Sequence, residues 1–147
     1  MTDHQRYVAK GTAHVKLATK PEPLDVAFVL LPKFTMLAFS AALEPMRMAN
    51  QLTQQVLFRW TVWSDDGKPV ACSNGVPVVV DGPWSQAKPE GIVLVVSGVE
   101  PEGKASVALG DWLRGLWRRG RTVGGLCTGA YALAQAGILK GRRFTMH

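Results

Sequence analysis

Apolar and polar positions along the chain follow two rhythms in alternation. Asp25 to Leu31 (DVAFVLL) is a near-continuous apolar run bounded by prolines, the pattern of a strand buried on both faces. Met36, Phe39, Leu43 and Met46 then recur at helical spacing, predicting a helix from Met36 to about Gln51 with Thr35 as its cap. Pro45 inside that stretch is expected to kink or divide it. Phe58 to Ser64 (FRWTVWS) alternates and predicts a second strand, closed by Asp65-Asp66-Gly67. Short strands around Val70 to Cys72 and Val76 to Val80, joined by Ser73-Asn74-Gly75, predict a hairpin appendage. Ile92 to Val96 is another buried strand.

Lys104 to Arg119 places Leu109, Trp112, Leu113, Leu116 and Trp117 on one helical face, and Gly120 is its stop. Arg121 to Leu126 reads as a strand, Thr128 to about Leu139 as a helix, and Arg143 to His147 as the start of a further strand. Apolar strands alternating with helices mean a parallel sheet covered on both faces, so the fold class is α/β. Residues 1–23 are polar, lack periodicity and end in Pro21-Glu22-Pro23, and they are expected to form a flexible leader to a single domain over residues 24–147.

Composition narrows the classes without choosing among them. At 147 residues, 47% hydrophobic and 19% charged, the chain is neither disordered nor a disulfide-dense scaffold. Its apolar runs fall far short of the roughly 18 residues of a membrane helix, and the N-terminus has no apolar signal core. The two cysteines, Cys72 and Cys127, lack Cys-x-x-Cys spacing, which favours a reducing compartment and a cytoplasmic location. Charge is unevenly spread: residues 112–147 hold seven Lys/Arg and no acid, within a net charge of +6. Arg114, Arg118, Arg119 and Arg121 read as the solvated face and exit of one helix, with their stems on apolar surface. Direct nucleic-acid binding would rest on that charge alone, because no nucleic-acid motif accompanies it.

The segment Val123 to Tyr131 carries the candidate chemistry. Gly125-Leu126-Cys127-Thr128-Gly129 has the Gly-x-nucleophile-x-Gly spacing of a nucleophile elbow and runs from a strand directly into a helix. Such a turn strains the backbone at the nucleophile, and side chains at the flanking glycines would strike neighbouring backbone. The thiol would then project at the C-terminal edge of the sheet, where unpaired helix N–H groups favour a thiolate, an oxyanion or a bound carboxylate. The same spacing also suits a small buried cysteine at a tight strand–helix joint.

His147 is the second candidate, since a neutral imidazole beside a thiol can accept its proton. His4 and His14 fall in the leader and receive no role. Asp65, Asp66 and Asp81 sit in turns. There is no spaced pair of carboxylates, no cluster with metal-ligand spacing and no phosphate-cradling glycine loop, so neither metal nor cofactor is expected. Trp60 and Trp63 lie three apart on one strand and therefore face opposite sides, chiefly as core.

Gly125 to Ala130, continued by Leu133 to Leu139 and Gly141-Arg142-Arg143, resembles the elbow of the ThiJ/PfpI (class I glutamine amidotransferase-like) superfamily. More narrowly it resembles the amidase-like N-terminal domain of GlxA-type regulators in the AraC family. The first strand region (VAFVLLPKFTMLAFS) and Leu43 to Asn50 match the same group, so the resemblance covers about residues 24 to 147. It implies a flavodoxin-like domain that dimerises and senses a small metabolite, such as an amino acid or a quaternary amine. DNA would be bound by a C-terminal pair of helix-turn-helix motifs, which this chain lacks. On the matching positions, Cys127 is the elbow cysteine and His147 the histidine that approaches it. Gly98 is the glycine whose N–H joins that of Thr128 in an anion hole. Enzymes of the superfamily set an acid from the first helix against the cysteine; in this register the position is Ala38, and Glu44 lies on another face. That departure favours sensing over a stand-alone hydrolase, hydratase or glyoxalase-like activity.

Overall fold

The computed structural model describes residues 1–11 and 14–146. Five strands build the main sheet: β1 (Leu24–Leu30), β2 (Phe58–Ser64), β5 (Gly82–Pro83), β6 (Ile92–Val96) and β7 (Thr122–Leu126). Their order is β5-β2-β1-β6-β7 and every pairing is parallel. The apolar run of β1 sits at the centre, buried on both sides, and Phe28 and Val29 are fully enclosed. The sheet is flavodoxin-like. A two-stranded antiparallel hairpin, β3 (Val70–Ala71) and β4 (Pro77–Val78), stands apart from it as expected.

The pleat of the strands sends alternate side chains into two cores. Ala27, Val29, Val93 and Val95 pack with Leu109, Leu113 and Leu116 of α3 (Val107–Arg118) and with Ala132 and Leu133 of α4 (Gly129–Gln135). Val26, Phe28, Leu30 and Val96 meet Phe39 of α2 (Met36–Thr53) on the other face. Trp63 joins the first core and Trp60 the second, as their spacing requires.

Helix α2 runs through Pro45 as one element, so the proline, expected to kink or divide it, does not divide it. Pro45 lies on the solvent face, and so does Ala41, whose carbonyl loses its helical partner. Water can satisfy that carbonyl, so the proline costs little there. Helix α3 starts at Ser106, whose hydroxyl accepts from Leu109 N at 3.1 Å, and stops at Gly120 with φ +79°. Helix α4 ends four residues earlier than its periodicity predicts. Gly137 turns left-handed and Ile138 N donates back to Leu133 O, closing the helix.

Three further departures have local causes. The leader contains a helix, α1 (Asp3–Tyr7), whose Tyr7 hydroxyl donates to Trp60 O at 3.1 Å. Arg6 pairs with Asp81 at 2.6 Å on the far side of β2. Five residues are too few to show a period, so only Tyr7 and Val8 mark the docking face. Strand β5 escapes notice because Gly and Pro argue against a strand; proline is tolerated here at the sheet edge. Residues 143–146 form no strand: they are exposed and make no ladder with β7, and an extended segment becomes a strand only by pairing.

Gly110 lies inside α3, where a Cβ would meet Ala136 Cβ at an ordinary 3.6 Å. Gly110→Ala should therefore stabilise the domain by about 0.5–1 kcal/mol through helix propensity alone. A thermal melt should show a midpoint raised by roughly 2 °C. A lowered midpoint would mean that the α3–α4 contact tolerates no added methyl.

Candidate functional site

The strand-to-helix joint after β7 has the geometry its spacing predicts. Cys127 adopts φ +54°, a left-handed conformation costly for a residue with a side chain. The glycines on either side are required by close approach. A Cβ on Gly125 would lie 2.5 Å from Ala130 N, and one on Gly129 would lie 2.1 Å from Val95 O. The backbone of α4 is thus pressed onto the ends of β6 and β7. Cys127 itself is half-buried.

The facing wall comes from the ends of β1 and β6. Phe34 and Gly98 form an antiparallel bridge, and Thr35 N donates to Ser97 O at 3.2 Å. Gly98 is also obligatory, since a Cβ there would fall 2.4 Å from Lys33 O. Thr128 Oγ1 donates to Gly98 O at 2.6 Å, locking the elbow to this wall. Thr35 Oγ1 lies 3.5 Å from Cys127 Sγ. Ser97 is 1% exposed and its Oγ has no partner among the described residues, so hydrogen-bonding capacity remains unused beside Gly98. Lys33 and Glu100, both at positive φ, pair at 2.5 Å over this end of the sheet. The Lys33 ammonium holds the Glu100 carboxyl below its ordinary range, although both groups are exposed and the tether is weak.

Of the residues singled out from sequence, the structure brings Cys127, Thr128 and Gly98 together. His147 lies outside the described residues. Ala38 sits in the first turn of α2, which carries no acid, and Glu44 is engaged on the surface by Arg47 at 2.7 Å. Among the described residues no cluster of His, Cys, Asp or Glu could hold a metal, and no helix is long and apolar enough to cross a membrane. Thr35 is the residue that sequence reasoning reads otherwise, as a helix cap. Its place just past the C-terminal end of a central parallel strand, where open α/β sheets carry their ligands, is the signal that could have flagged it.

The basic C-terminal third behaves as a solvated face with local partners. Arg114 bonds Asp111 and Ala136 O, Arg121 reaches Glu90 O, and Arg142 lies over the Trp117 ring. A separate cavity of about 250 Å³ opens at the opposite end of the strands, beside Asp25, Arg59 and Trp63. Its Arg59 guanidinium is already held by Asp25 and Asp3.

Comparison with known proteins agrees with this geometry. Residues 26–147 match the DJ-1/PfpI family. The HTH-type transcriptional regulator CdhR of Pseudomonas aeruginosa is 46% identical over 123 residues, which are 84% of this chain and 36% of that protein. The HTH-type transcriptional regulator GlxA of Rhizobium meliloti is 34% identical over 83% of this chain and 38% of its own length. The chain therefore spans about a third of the length of these relatives. Among solved structures, an AraC family transcriptional regulator from Pseudomonas putida superposes with a TM-score of 0.75 at 28% identity, covering 85% of this chain and 67% of that one. A cysteine elbow at the edge of a five-stranded parallel sheet, matched along nearly all of the chain after β1 begins, identifies the chain as a member of the DJ-1/PfpI family.

Proposed function

We propose that this chain is the ligand-sensing and dimerisation domain of an AraC-type transcriptional regulator, working in the cytoplasm. Its effector is a small nitrogenous metabolite of the amino-acid or quaternary-amine class, bound at the Cys127 elbow. DNA is engaged through a separate C-terminal domain of the longer protein. The observation that carries this reading is the 46% identity to an HTH-type regulator across most of the chain.

The site's chemistry agrees. Amide N–H groups of Gly98 and Thr128 hold a carboxylate or carbonyl of the effector, while Cys127 lines the pocket; the role that the family resemblance implies for His147 lies outside the described residues. With no acid in the first turn of α2, nothing there exchanges protons with a substrate, so binding is favoured over turnover. The second reading, a cysteine-dependent hydrolase, hydratase or glyoxalase-like enzyme, draws on the strained backbone at Cys127. It requires turnover that disappears in Cys127→Ser.

Thermal melts of the full-length protein against a panel of amino acids and quaternary amines test the sensor reading. A true effector at a hundred times its Kd adds about 2.7 kcal/mol to the folded state. That shift should vanish after iodoacetamide treatment, because Cys127 is accessible and Cys72 is buried. If no compound of either class raises the midpoint, the proposed effector class is wrong.

A further inference from the structure

We propose that Thr35 is a positioning residue for the Cys127 sulfur, holding it through a hydroxyl–sulfur hydrogen bond and setting how readily the thiol reacts. The inference rests on the reading of the elbow as the functional site, and it adds the group that orients the thiol there.

The geometry begins with a cap that is not made. Thr35 occupies the N-cap of an 18-residue helix, yet its side chain accepts no helix N–H. Of the other α-helix N-caps, Thr2 accepts from Gln5 N at 3.3 Å and Ser106 from Leu109 N at 3.1 Å, while Thr128, like Thr35, leaves its cap unmade and donates to Gly98 O instead. The Thr35 hydroxyl is turned instead to Cys127 Sγ, 3.5 Å away, within reach of a hydrogen bond to sulfur.

Both partners are fixed by their backbones. Thr35 N is tied to Ser97 O, Phe34 before it is fully buried, and Phe39 N returns to Thr35 O at 3.2 Å. Cys127 is held at its positive φ between two glycines that cannot be replaced without collision. A β-branched side chain with few rotamers thus faces a sulfur with little freedom to leave.

Among the described residues, the hydroxyl is the side-chain group within hydrogen-bond reach of the sulfur. Neither α2 nor α4 has an acid in its first turn. The β1–α2 loop contributes Lys33 and the β6–α3 loop Glu100, Glu102 and Lys104. Lys33 and Glu100 pair with each other, and Lys104 bonds Val99 O at 2.7 Å. A hydroxyl donates to a thiolate or accepts from a thiol, but it does not take up the proton at neutral pH. It therefore orients the sulfur and stabilises its charged form without supplying a base.

Iodoacetamide alkylation of Cys127, followed by mass spectrometry across a pH series in the full chain, tests this directly. Cys72, buried and donating to Asn74 Oδ1, is the internal reference. Thr35→Val removes the hydroxyl at nearly constant shape. It should slow Cys127 alkylation at neutral pH about three- to tenfold, the size of one lost neutral hydrogen bond, and displace the profile toward higher pH. Thr35→Ser should stay within about twofold of the parent. A Thr35→Val profile that overlays the parent's overturns the proposal, as does a Thr35→Ser variant that behaves like valine. Should Thr35→Val fail to fold, judged by its far-UV spectrum, Thr35→Ala and Thr35→Ser carry the same comparison. The assay needs no effector, so failure of the sensor reading leaves its outcome intact. An unaltered alkylation profile, conversely, would not touch effector binding.

Discussion

Gly129→Ala should destabilise the domain by more than about 3 kcal/mol, and a thermal melt should fall by roughly 10 °C. The added methyl carbon would sit 2.1 Å from Val95 O, less than any real contact allows. Val95 is fully buried within β6, and its carbonyl faces the β7–α4 joint, so neither side can retreat alone. Relief requires lifting α4 away from the sheet, which uncovers Ala132, Leu133 and Ala136. Gly137→Ala is the proper comparison. Gly137 has φ +73° but open space around its Cβ position, so it should cost only about 1–2 kcal/mol of backbone strain. A loss at Gly129 no larger than at Gly137 would show that the β7–α4 joint relaxes around the added methyl.

Asn50→Ala should cost about 3–4 kcal/mol, although the residue lies far from the cysteine. Asn50 is fully buried and its amide is spent on four backbone groups. Oδ1 accepts from Leu57 N at 2.8 Å and Phe58 N at 3.0 Å, while Nδ2 donates to Phe58 O at 2.8 Å and Tyr7 O at 3.3 Å. Alanine leaves those groups buried without partners and opens a small void. Asn50→Asp keeps the acceptor but loses the donor and buries a carboxylate, so it should rescue little. Chemical denaturation should show a lower midpoint with an unchanged slope. A loss under about 1 kcal/mol would mean that water enters and replaces the amide.

What could be read from the chain depended on how locally each feature is encoded. β2 and β6 were legible to the residue because alternation or continuous burial marks a strand without reference to its partners. The elbow was legible because its Gly-x-Cys-x-Gly spacing is contained in five consecutive residues, even though the contact that requires Gly129 comes from Val95 on β6. Thr35 was not, because nothing in its own neighbourhood says that its hydroxyl turns from α2 toward a sulfur 92 positions away. Asn50 was equally silent, an ordinary polar residue on a helix until the β2 start and the N-terminal segment close around it. Strand β5 and helix α1 failed for the opposite reason: two and five residues are too short to show a period. Residues 143–146 carry strand-like composition, but pairing decides strands, and no described neighbour pairs with them.

Helix α2 joins these two places, with Thr35 at its start and Asn50 near its end. At 1.5 Å per residue its 18 residues span about 27 Å. Mechanically it is a rod clamped at the Asn50 end by four hydrogen bonds and seated on the elbow at the other. Pro45 interrupts its internal ladder close to the clamp. Bending compliance therefore concentrates between Ala41 and Pro45, and a push on the Thr35 end would swing the first turns while the clamped end stays still.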